Sequence, residues 1–523
     1  MKKKILLIPL ALLLAISLVA TGCPAAPPVK PPPPTPPAPP TLPQPQYGGV
    51  LKITWPYGLR ILGYPPEVAG ADWWSVQACI ENLVRTDENG LIVPWLATDW
   101  EIAPDSKSIT FTLREGVKFH DGTDFNAEAV KYNVDLQIAA KKAGFMQVTS
   151  VDVVDNYTVR FNLSQWSNAL LYTLAQWDGM MASPAAIKTN GVEWARGHPV
   201  GTGPFKFVSF TPDVALKYER FDGYWQKGKP YLDRLEYIYI NDVMTAVASF
   251  QAGEIDLLWG DTPKVLTDLQ AKGYKVDATP ATLYVLIGDN ANPNSVFANQ
   301  KVREAIEYAI DKEAITKAIG YGIWKVLDQP CSRVSFAYNP DVKGHPYDPN
   351  KARKLLAEAG YPDGFKTKLV QSPFSSKDAT EAVQGFLSKV GIDAQIEVVD
   401  IGAWATIMAD GEKDALILTC MTQSAGNYGR NLVADFPPDY SILPSTLRPP
   451  GFADLLERAL AATDEHTMVA LNQELVKLLA DNETWIPLYE DEVFAATKPE
   501  YVHADIATYD MLTWHPENAW LSK

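Results

Sequence analysis

The stretch that begins Gly201-Thr-Gly-Pro and ends at Tyr224-Trp225 most constrains the fold. Apolar and polar residues alternate on both sides of Thr211-Pro-Asp213, which is typical of two strands joined by a turn. Glycine permits close backbone approach, and Pro204 fixes its own φ and favours an extended residue before it. We therefore predict a β-hairpin over 205–219, entered through a tight glycine–proline turn that serves the scaffold rather than the ligand.

Strand and helix signals alternate along the rest of the chain. The strongest helix signal has Asp348 as N-cap, Pro349 in the first turn, Gly360 as terminator and Pro362 beyond it. Apolar spacing also predicts a helix over 73–85, and Asn126 and Asp311 are placed to cap two others. Strand–helix–strand order with short connections predicts an α/β fold.

The N-terminus has the features of an exported, anchored protein. Three lysines, a short apolar run and small residues precede Cys23, so residues 1–22 are predicted to be a signal peptide. The run resembles a bacterial lipobox, which implies acylation of Cys23 and attachment to the cell membrane. More than half of residues 24–46 are proline, so we expect residues 23–46 to form a lipidated, extended linker.

Charge and cysteine content exclude several function classes. The chain carries a formal charge of −16, which argues against nucleic acid or an anionic bilayer surface as a partner. Besides Cys23 there are three cysteines, so at most one disulfide can form within the chain. The six histidines are scattered and follow no metal-ligand spacing, so neither a metal site nor a cofactor is predicted.

His120-Asp121 has the residue types of a catalytic base and its orienting acid. The pair lies in Leu113-Arg-Glu-Gly-Val-Lys-Phe-His-Asp-Gly122, where Asp-Gly forms a turn and no nucleophile is suggested nearby. We therefore interpret both residues as structural, and we predict that the protein is not an enzyme.

Several segments together resemble the family 5 extracellular solute-binding proteins of ABC importers. The resemblance covers essentially 47–490, and six segments carry it in family order: Gly48-Gly-Val-Leu51, the His120-Asp121 segment, Gly201–Trp225, Gly253-Glu-Ile-Asp256, Val302–Asp311 and Asp348–Gly360. It implies an α/β, two-lobe periplasmic-binding-protein fold of type II-like topology with an additional inserted α+β domain. The expected domains are a discontinuous lobe I at 47–85, 197–285 and 496–523, the inserted domain at 86–196, and lobe II at 286–495.

The resemblance also implies the function. We expect a lipid-anchored, monomeric extracytoplasmic protein that captures a solute between its lobes and delivers it to permease and ATPase subunits.

We expect the cargo to be a peptide, a peptide-like solute or an oligosaccharide. Peptide-binding members commonly hold the peptide amino terminus with an aspartate in an Ala-Asp-Tyr-x-Asp-Pro-like segment. Here Asp435 and Asp439 lie in a different arrangement, and the fifteen tryptophans also suit stacking on sugar rings. From positions next to predicted strand ends we select six ligand-binding candidates: Trp55, Trp259, Tyr284, Trp404, Tyr428 and Arg430.

Two other functions are compatible with a secreted lipoprotein. One is a ligand receptor or chaperone without transport. The other is a carbohydrate hydrolase with paired carboxylates, although no Gly-x-Ser-x-Gly or metal motif supports catalysis.

Overall fold

The computed structural model describes residues 44–87, 89–422, 427–499, 501–504 and 514–522. The predicted signal peptide, Cys23 and nearly all of the proline-rich linker lie outside these residues. Within them, no helix has both the length and the apolar character needed to cross a bilayer.

The strands are numbered in chain order: β1 Val50–Trp55, β2 Val84–Thr86, β3 Ile92–Pro94, β4 Ala97–Ile102, β5 Ser108–Leu113, β6 Val148–Asp155, β7 Thr158–Leu163, β8 Phe205–Thr211, β9 Ala215–Arg220, β10 Arg234–Tyr239, β11 Leu257–Gly260, β12 Lys275–Gly288, β13 Lys325–Val326, β14 Phe365–Gln371, β15 Ile392–Val398, β16 Ala415–Thr422, β17 Ile486–Thr497, β18 Val502–His503 and β19 Trp520–Leu521.

The α-helices are α1 Gly70–Val76, α2 Ala127–Ala139, α3 Ala169–Leu174, α4 Pro184–Asn190, α5 Val192–Gly197, α6 Val243–Ala252, α7 Pro263–Ala271, α8 Gln300–Ala309, α9 Lys312–Ala318, α10 Pro349–Glu358, α11 Lys377–Ser388, α12 Ile401–Asp410, α13 Tyr428–Asp435, α14 Phe452–Ala461 and α15 Glu465–Asp481. Short 3₁₀ turns lie at Pro65–Glu67, Ala143–Phe145, Trp177–Gly179, Val296–Ala298 and Pro516–Asn518.

The largest sheet has the strand order β15-β14-β16-β12-β17-β11-β1-β10-β9-β8, with β13 added against β17. The strands from β11 to β8 form one half of this sheet, and the strands from β15 to β16 form the other. Each half contains parallel pairs: β1 with β10 and β11, and β14 with β15 and β16. The long strands β12 and β17 lie between the two halves and join them. The predicted domain limits at 285/286 and 495/496 fall inside these two strands, and the limits stay a prediction.

Most predicted local structure is present. The hairpin forms from β8 and β9, and Asp348 caps α10 by accepting the backbone N–H groups of Asn350 and Lys351. Asn126 and Asp311 cap α2 and α9 in the same way. Between 86 and 196, a four-stranded antiparallel sheet, β4-β5-β7-β6, packs with α2 around its own apolar core.

The predicted helix over 73–85 is wrong beyond Val76. The backbone carbonyls of Ala78 and Cys79 accept hydrogen bonds from Phe205 and Gly203 at 2.9 and 3.0 Å, so they are not available to a helix. Gly201 and Gly203 are required here, because a Cβ at Gly201 would lie 2.2 Å from the Cys79 oxygen. The glycine–proline turn is therefore a close backbone contact within the scaffold.

His120 and Asp121 also belong to this scaffold. The His120 ring is bonded to the Gly203 carbonyl at 2.9 Å, and burial lowers its pKa to about 4, so the ring is neutral. Asp121 instead accepts hydrogen bonds from Thr123 and Ser183. Cys79, Cys331 and Cys420 are free thiols.

Candidate ligand-binding site at the crossing strands

The two halves of the large sheet meet where β12 and β17 cross from one to the other. From Thr282 onward β12 also pairs with β16, whereas β17 pairs with β11 from Phe494 to Thr497. The β12–β17 register shifts between Pro280 and Leu283, opposite three consecutive acids, Glu490-Asp491-Glu492. We call this crossing region the hinge and these three residues the hinge acids. Such an irregularity bends a strand and re-aims its side chains, and it commonly lies beside a functional site.

Asp491 is the central acid at this irregularity. Burial raises its pKa to about 7, the neighbouring Tyr284 and Thr282 oppose that shift, and the charge of Asp261 adds to it. Its Oδ1 atom is buried without a hydrogen-bond partner among the described residues. A buried carboxylate oxygen without a partner raises the free energy of the folded protein unless a cation or a hydrogen-bond donor binds to it.

A second acid and a tyrosine lie on the same side as Asp491. Asp261 follows β11, and Tyr57 follows β1. Burial raises the pKa of Tyr57 to about 12, with the charges of Asp261 and Asp491 acting in the same direction. In the described part of the chain, no ion pair involves Asp261 or Asp491. The local field therefore favours a positively charged group.

Glu490 and Glu492 point to the other face of β17, since side chains alternate along a strand. Arg333 lies 3.5 Å from Glu490 and also bonds Glu492. Burial raises the pKa of Glu490 to about 7, and Arg333 opposes that shift. These two acids thus have a cation from the chain itself, which distinguishes them from Asp491.

Trp55 and Trp259 lie beside Tyr57 in a cluster of aromatic rings. Trp74 lies between them, with ring centroids 5.7 Å from Trp55 and 4.4 Å from Trp259. Trp55 also meets Tyr57 edge-on at 5.5 Å. Both predicted residues are buried, and the Trp55 indole N–H has no hydrogen-bond partner among the described residues.

Tyr284 lies on β12 beside Asp491. Its ring stacks on Tyr489 at 4.7 Å, and Trp324 stacks on the other face of Tyr489 at 4.4 Å. The Tyr284 hydroxyl donates to the Phe374 carbonyl at 3.1 Å, while burial and the Asp491 charge raise its pKa. Of the six predicted residues, Tyr284 has the most direct relation to the hinge acids.

Arg430 lies on α13 and faces the region between 86 and 196. Its guanidinium is 6.0 Å from the Trp177 ring centroid. Burial lowers the pKa of Arg430, and the charges of Asp178 and Asp435 oppose this shift. Burial raises the pKa of the nearby Cys420 thiol to about 12, and the charges of Asp491 and Asp435 act in the same direction.

Trp404 and Tyr428 lie in the apolar core around β12 and β16. Trp404 on α12 is 8 % exposed, and Tyr428 at the start of α13 is 0 % exposed. The structure therefore brings Trp55, Trp259 and Tyr284 towards the hinge, and it places Trp404 and Tyr428 in packed surroundings. As ligand contacts, all six residues stay predictions.

The hinge acids themselves were missed by sequence reasoning. The available signal was the run Glu490-Asp491-Glu492 inside a strand that is otherwise apolar and aromatic. Three adjacent acids in a central strand are expensive to bury, so they indicate a site or a partner. Tyr57 and Asp261 carry no comparable signal, because only the fold brings them to Asp491.

Comparison with known proteins identifies the family. Residues 92–429 match the model described as bacterial extracellular solute-binding proteins, family 5 Middle. This chain belongs to that family. The glutathione-binding protein GsiB of Escherichia coli strain K12 is 33 % identical over 439 residues, which cover 80 % of this chain and 84 % of the relative.

Solved structures of similar proteins have the same fold as this chain. An ABC transporter substrate-binding protein from Sinorhizobium meliloti is 27 % identical with a TM-score of 0.75, covering 91 % of this chain and 100 % of that one. HbpA2 from Haemophilus parasuis has a TM-score of 0.80 at 23 % identity, with coverage of 91 % and 100 %. The expected two-lobe α/β fold is thus confirmed. The family also confirms that this is an extracytoplasmic solute-binding protein and not an enzyme.

Proposed function

We propose that this chain is the substrate-binding component of an ABC importer and captures a short peptide or peptide-like solute through its amino group. Asp491, with Asp261 beside it, binds the ammonium group, and Tyr57 and Tyr284 flank that group. The solute is held between the two lobes and then delivered to a membrane permease. Trp55, Trp259 and Arg430 are the further candidates for contacts along the solute.

The unsatisfied Asp491 carboxylate carries this proposal. An ammonium group supplies three N–H donors and a positive charge, which is what a buried carboxylate with an unpaired oxygen lacks. Its position at the hinge also suits closure, because a ligand stabilises the closed state only through contacts that are stronger in that state.

Two observations favour a peptide over an oligosaccharide. The relative from Escherichia coli is named as glutathione-binding, and glutathione is a peptide with a free amino group. Trp55 stacks on Trp74, and Trp259 packs tilted against both, so the three rings are largely covered by the protein itself. Sugar binding would require ring faces open to the ligand.

Calorimetric titration of Asp491→Asn tests the proposal. The titrants are glutathione and dipeptides, each with a free and with an acetylated amino group. We expect the parent to bind free-amine forms, and acetylation or Asp491→Asn each to weaken binding about 100-fold, since losing one partner of a buried charge pair costs about 2–5 kcal/mol. Asp393→Asn, at an exposed position on β15, is the matched control and keeps the parent's affinity.

Equal affinity for acetylated and free-amine peptides would contradict the role of Asp491. Binding of oligosaccharides with no response to peptides would contradict the choice of cargo.

The lipid anchor is part of the same proposal. Cys23 carries the lipid, and the proline-rich segment separates it from the binding domain. Cys23→Ser should move the protein from the membrane fraction to the soluble fraction while leaving solute affinity unchanged. A Cys23→Ser protein that remains in the membrane fraction would rule out this anchor.

A further inference from the structure

Three residues from distant parts of the chain form a second polar cluster, away from the hinge acids. Glu307 lies on α8, His345 precedes α10, and Glu483 follows α15. One possible ligand atom from each residue lies within 4.8 Å of the other two. Both glutamates are buried, and His345 is half-buried. No sequence motif marks this cluster, because its members are separated by 38 and 138 residues.

The hydrogen bonds hold these side chains in fixed positions. Lys312 Nζ donates to Glu307 Oε1 at 2.6 Å, and the His345 backbone N–H reaches the same oxygen at 3.2 Å. His345 Nε2 lies 3.1 Å from Glu483 Oε1, and the Tyr308 ring stacks on the imidazole at 4.3 Å. Lys312 thereby sets the orientation of the Glu307 carboxylate, and the carboxyl groups of Glu307 and Glu483 are also hydrogen-bonded to each other.

A cavity of about 430 Å³ reaches the cluster and gives solvent access. Four more acids line it, Glu304, Asp328, Asp341 and Asp481, against Lys343 and Lys477. Lys477 is already bonded to Asp481 at 2.7 Å. An excess of acidic side chains concentrates cations in this cavity.

We propose that Glu307, His345 and Glu483 bind one first-row divalent cation, such as Zn²⁺, with water from the cavity completing its coordination. One imidazole nitrogen and carboxylate oxygens are ligands that Zn²⁺ accepts at about 2.0–2.2 Å. The cation replaces the proton between His345 Nε2 and Glu483 Oε1. Lys312 then supports a ligating carboxylate from outside the coordination shell, as hydrogen-bonded partners commonly do. The site would link α8, the loop before α10 and the end of α15.

Equilibrium dialysis of resin-demetallated full-length protein against Zn²⁺ tests this site. We expect one Zn²⁺ per chain, and at least 10-fold weaker binding in both His345→Ala and Glu483→Gln. The matched control is His466→Ala, an exposed histidine at the opposite end of α15. Zn²⁺ should raise the melting temperature of the parent and of His466→Ala but not of the two site variants.

Substitution with Co²⁺ keeps the test independent of variant folding. The site is supported if the Co²⁺-loaded parent has the ligand-field absorption expected for nitrogen and oxygen ligands and no thiolate charge-transfer band. A thiolate band, or unchanged Zn²⁺ binding in Glu483→Gln and His345→Ala, would place the metal elsewhere. Absence of Zn²⁺ binding by the parent would overturn the proposal as well.

Discussion

Glu81 and Asp491 are both acids withdrawn from solvent, yet their surroundings differ completely. Glu81 accepts hydrogen bonds from Thr202, Tyr224, Trp225 and Trp95 at 2.8–3.0 Å. Arg85 lies 3.8 Å from its carboxylate. Asp491 has neither an ion-pair partner among the described residues nor a donor for Oδ1.

The difference in their partners distinguishes a structural acid, Glu81, from a candidate ligand-binding acid, Asp491. Burial raises the pKa of Glu81, but Arg85 and the donors oppose that shift, so the charged form is supported by the chain itself. Three of these donors belong to the 201–225 stretch and the fourth, Trp95, follows β3, so Glu81 joins these two segments. Asp491 lies where the two halves cross, and the described residues leave its Oδ1 atom without a hydrogen-bond donor.

Removing the Glu81 side chain should have the largest effect on stability. Glu81→Ala leaves Arg85 and four donors buried without their acceptor, and we expect a loss of about 3–5 kcal/mol in the free energy of unfolding. Urea unfolding followed by circular dichroism measures it. Glu81→Gln, which keeps the shape and one acceptor, is the control and should lose less. A loss below about 1 kcal/mol for Glu81→Ala would show that the network is not needed for folding.

Asp491→Asn should act in the opposite direction in the ligand-free protein. The folded pKa of about 7 lies above the ordinary value of about 4, so the folded state binds the proton more tightly and the parent loses stability as pH rises through that window. An asparagine side chain does not ionise, so the variant does not lose stability in this way. The variant should match the parent near pH 4 and exceed it by up to about 4 kcal/mol at pH 8, since each pKa unit corresponds to about 1.4 kcal/mol.

Urea unfolding of both proteins at several pH values measures this difference. A constant difference across the range would show that Asp491 does not titrate in the hinge.

The sequence predicted the scaffold well because its determinants are local. A cap, a turn residue or an alternating strand acts over a few positions, as at Asp348 and in the 205–219 hairpin. The helix over 73–85 failed because tertiary hydrogen bonds from Gly203 and Phe205 took the carbonyls that a helix needs. The pattern of apolar residues carries no information about those bonds.

The site was harder to predict, since its members are distant in sequence. Selecting residues after predicted strands found Trp55, Trp259 and Tyr284 near the hinge, because strand ends do meet there. The same rule also selected Trp404 and Tyr428, which lie in the core, since large aromatic residues follow strands for packing reasons too. Asp491 was missed because the three acids interrupt the apolar pattern of β17, which runs from Ile486 to Thr497.

The smallest predicted effect is on the pH dependence of solute affinity. A protonated Asp491 offers no charge to an ammonium group, so the apparent affinity should fall as pH decreases through about 7. Between pH 8 and pH 6 a single group of this pKa weakens binding about 10-fold, because about nine-tenths of it is protonated at pH 6. Calorimetric titration with a free-amine dipeptide at both pH values measures the ratio, and Asp491→Asn should show almost none of it. If the parent's affinity were the same at pH 8 and pH 6, the ammonium group would have to bind elsewhere. Glu81 and Asp491 would then differ only in how they pack.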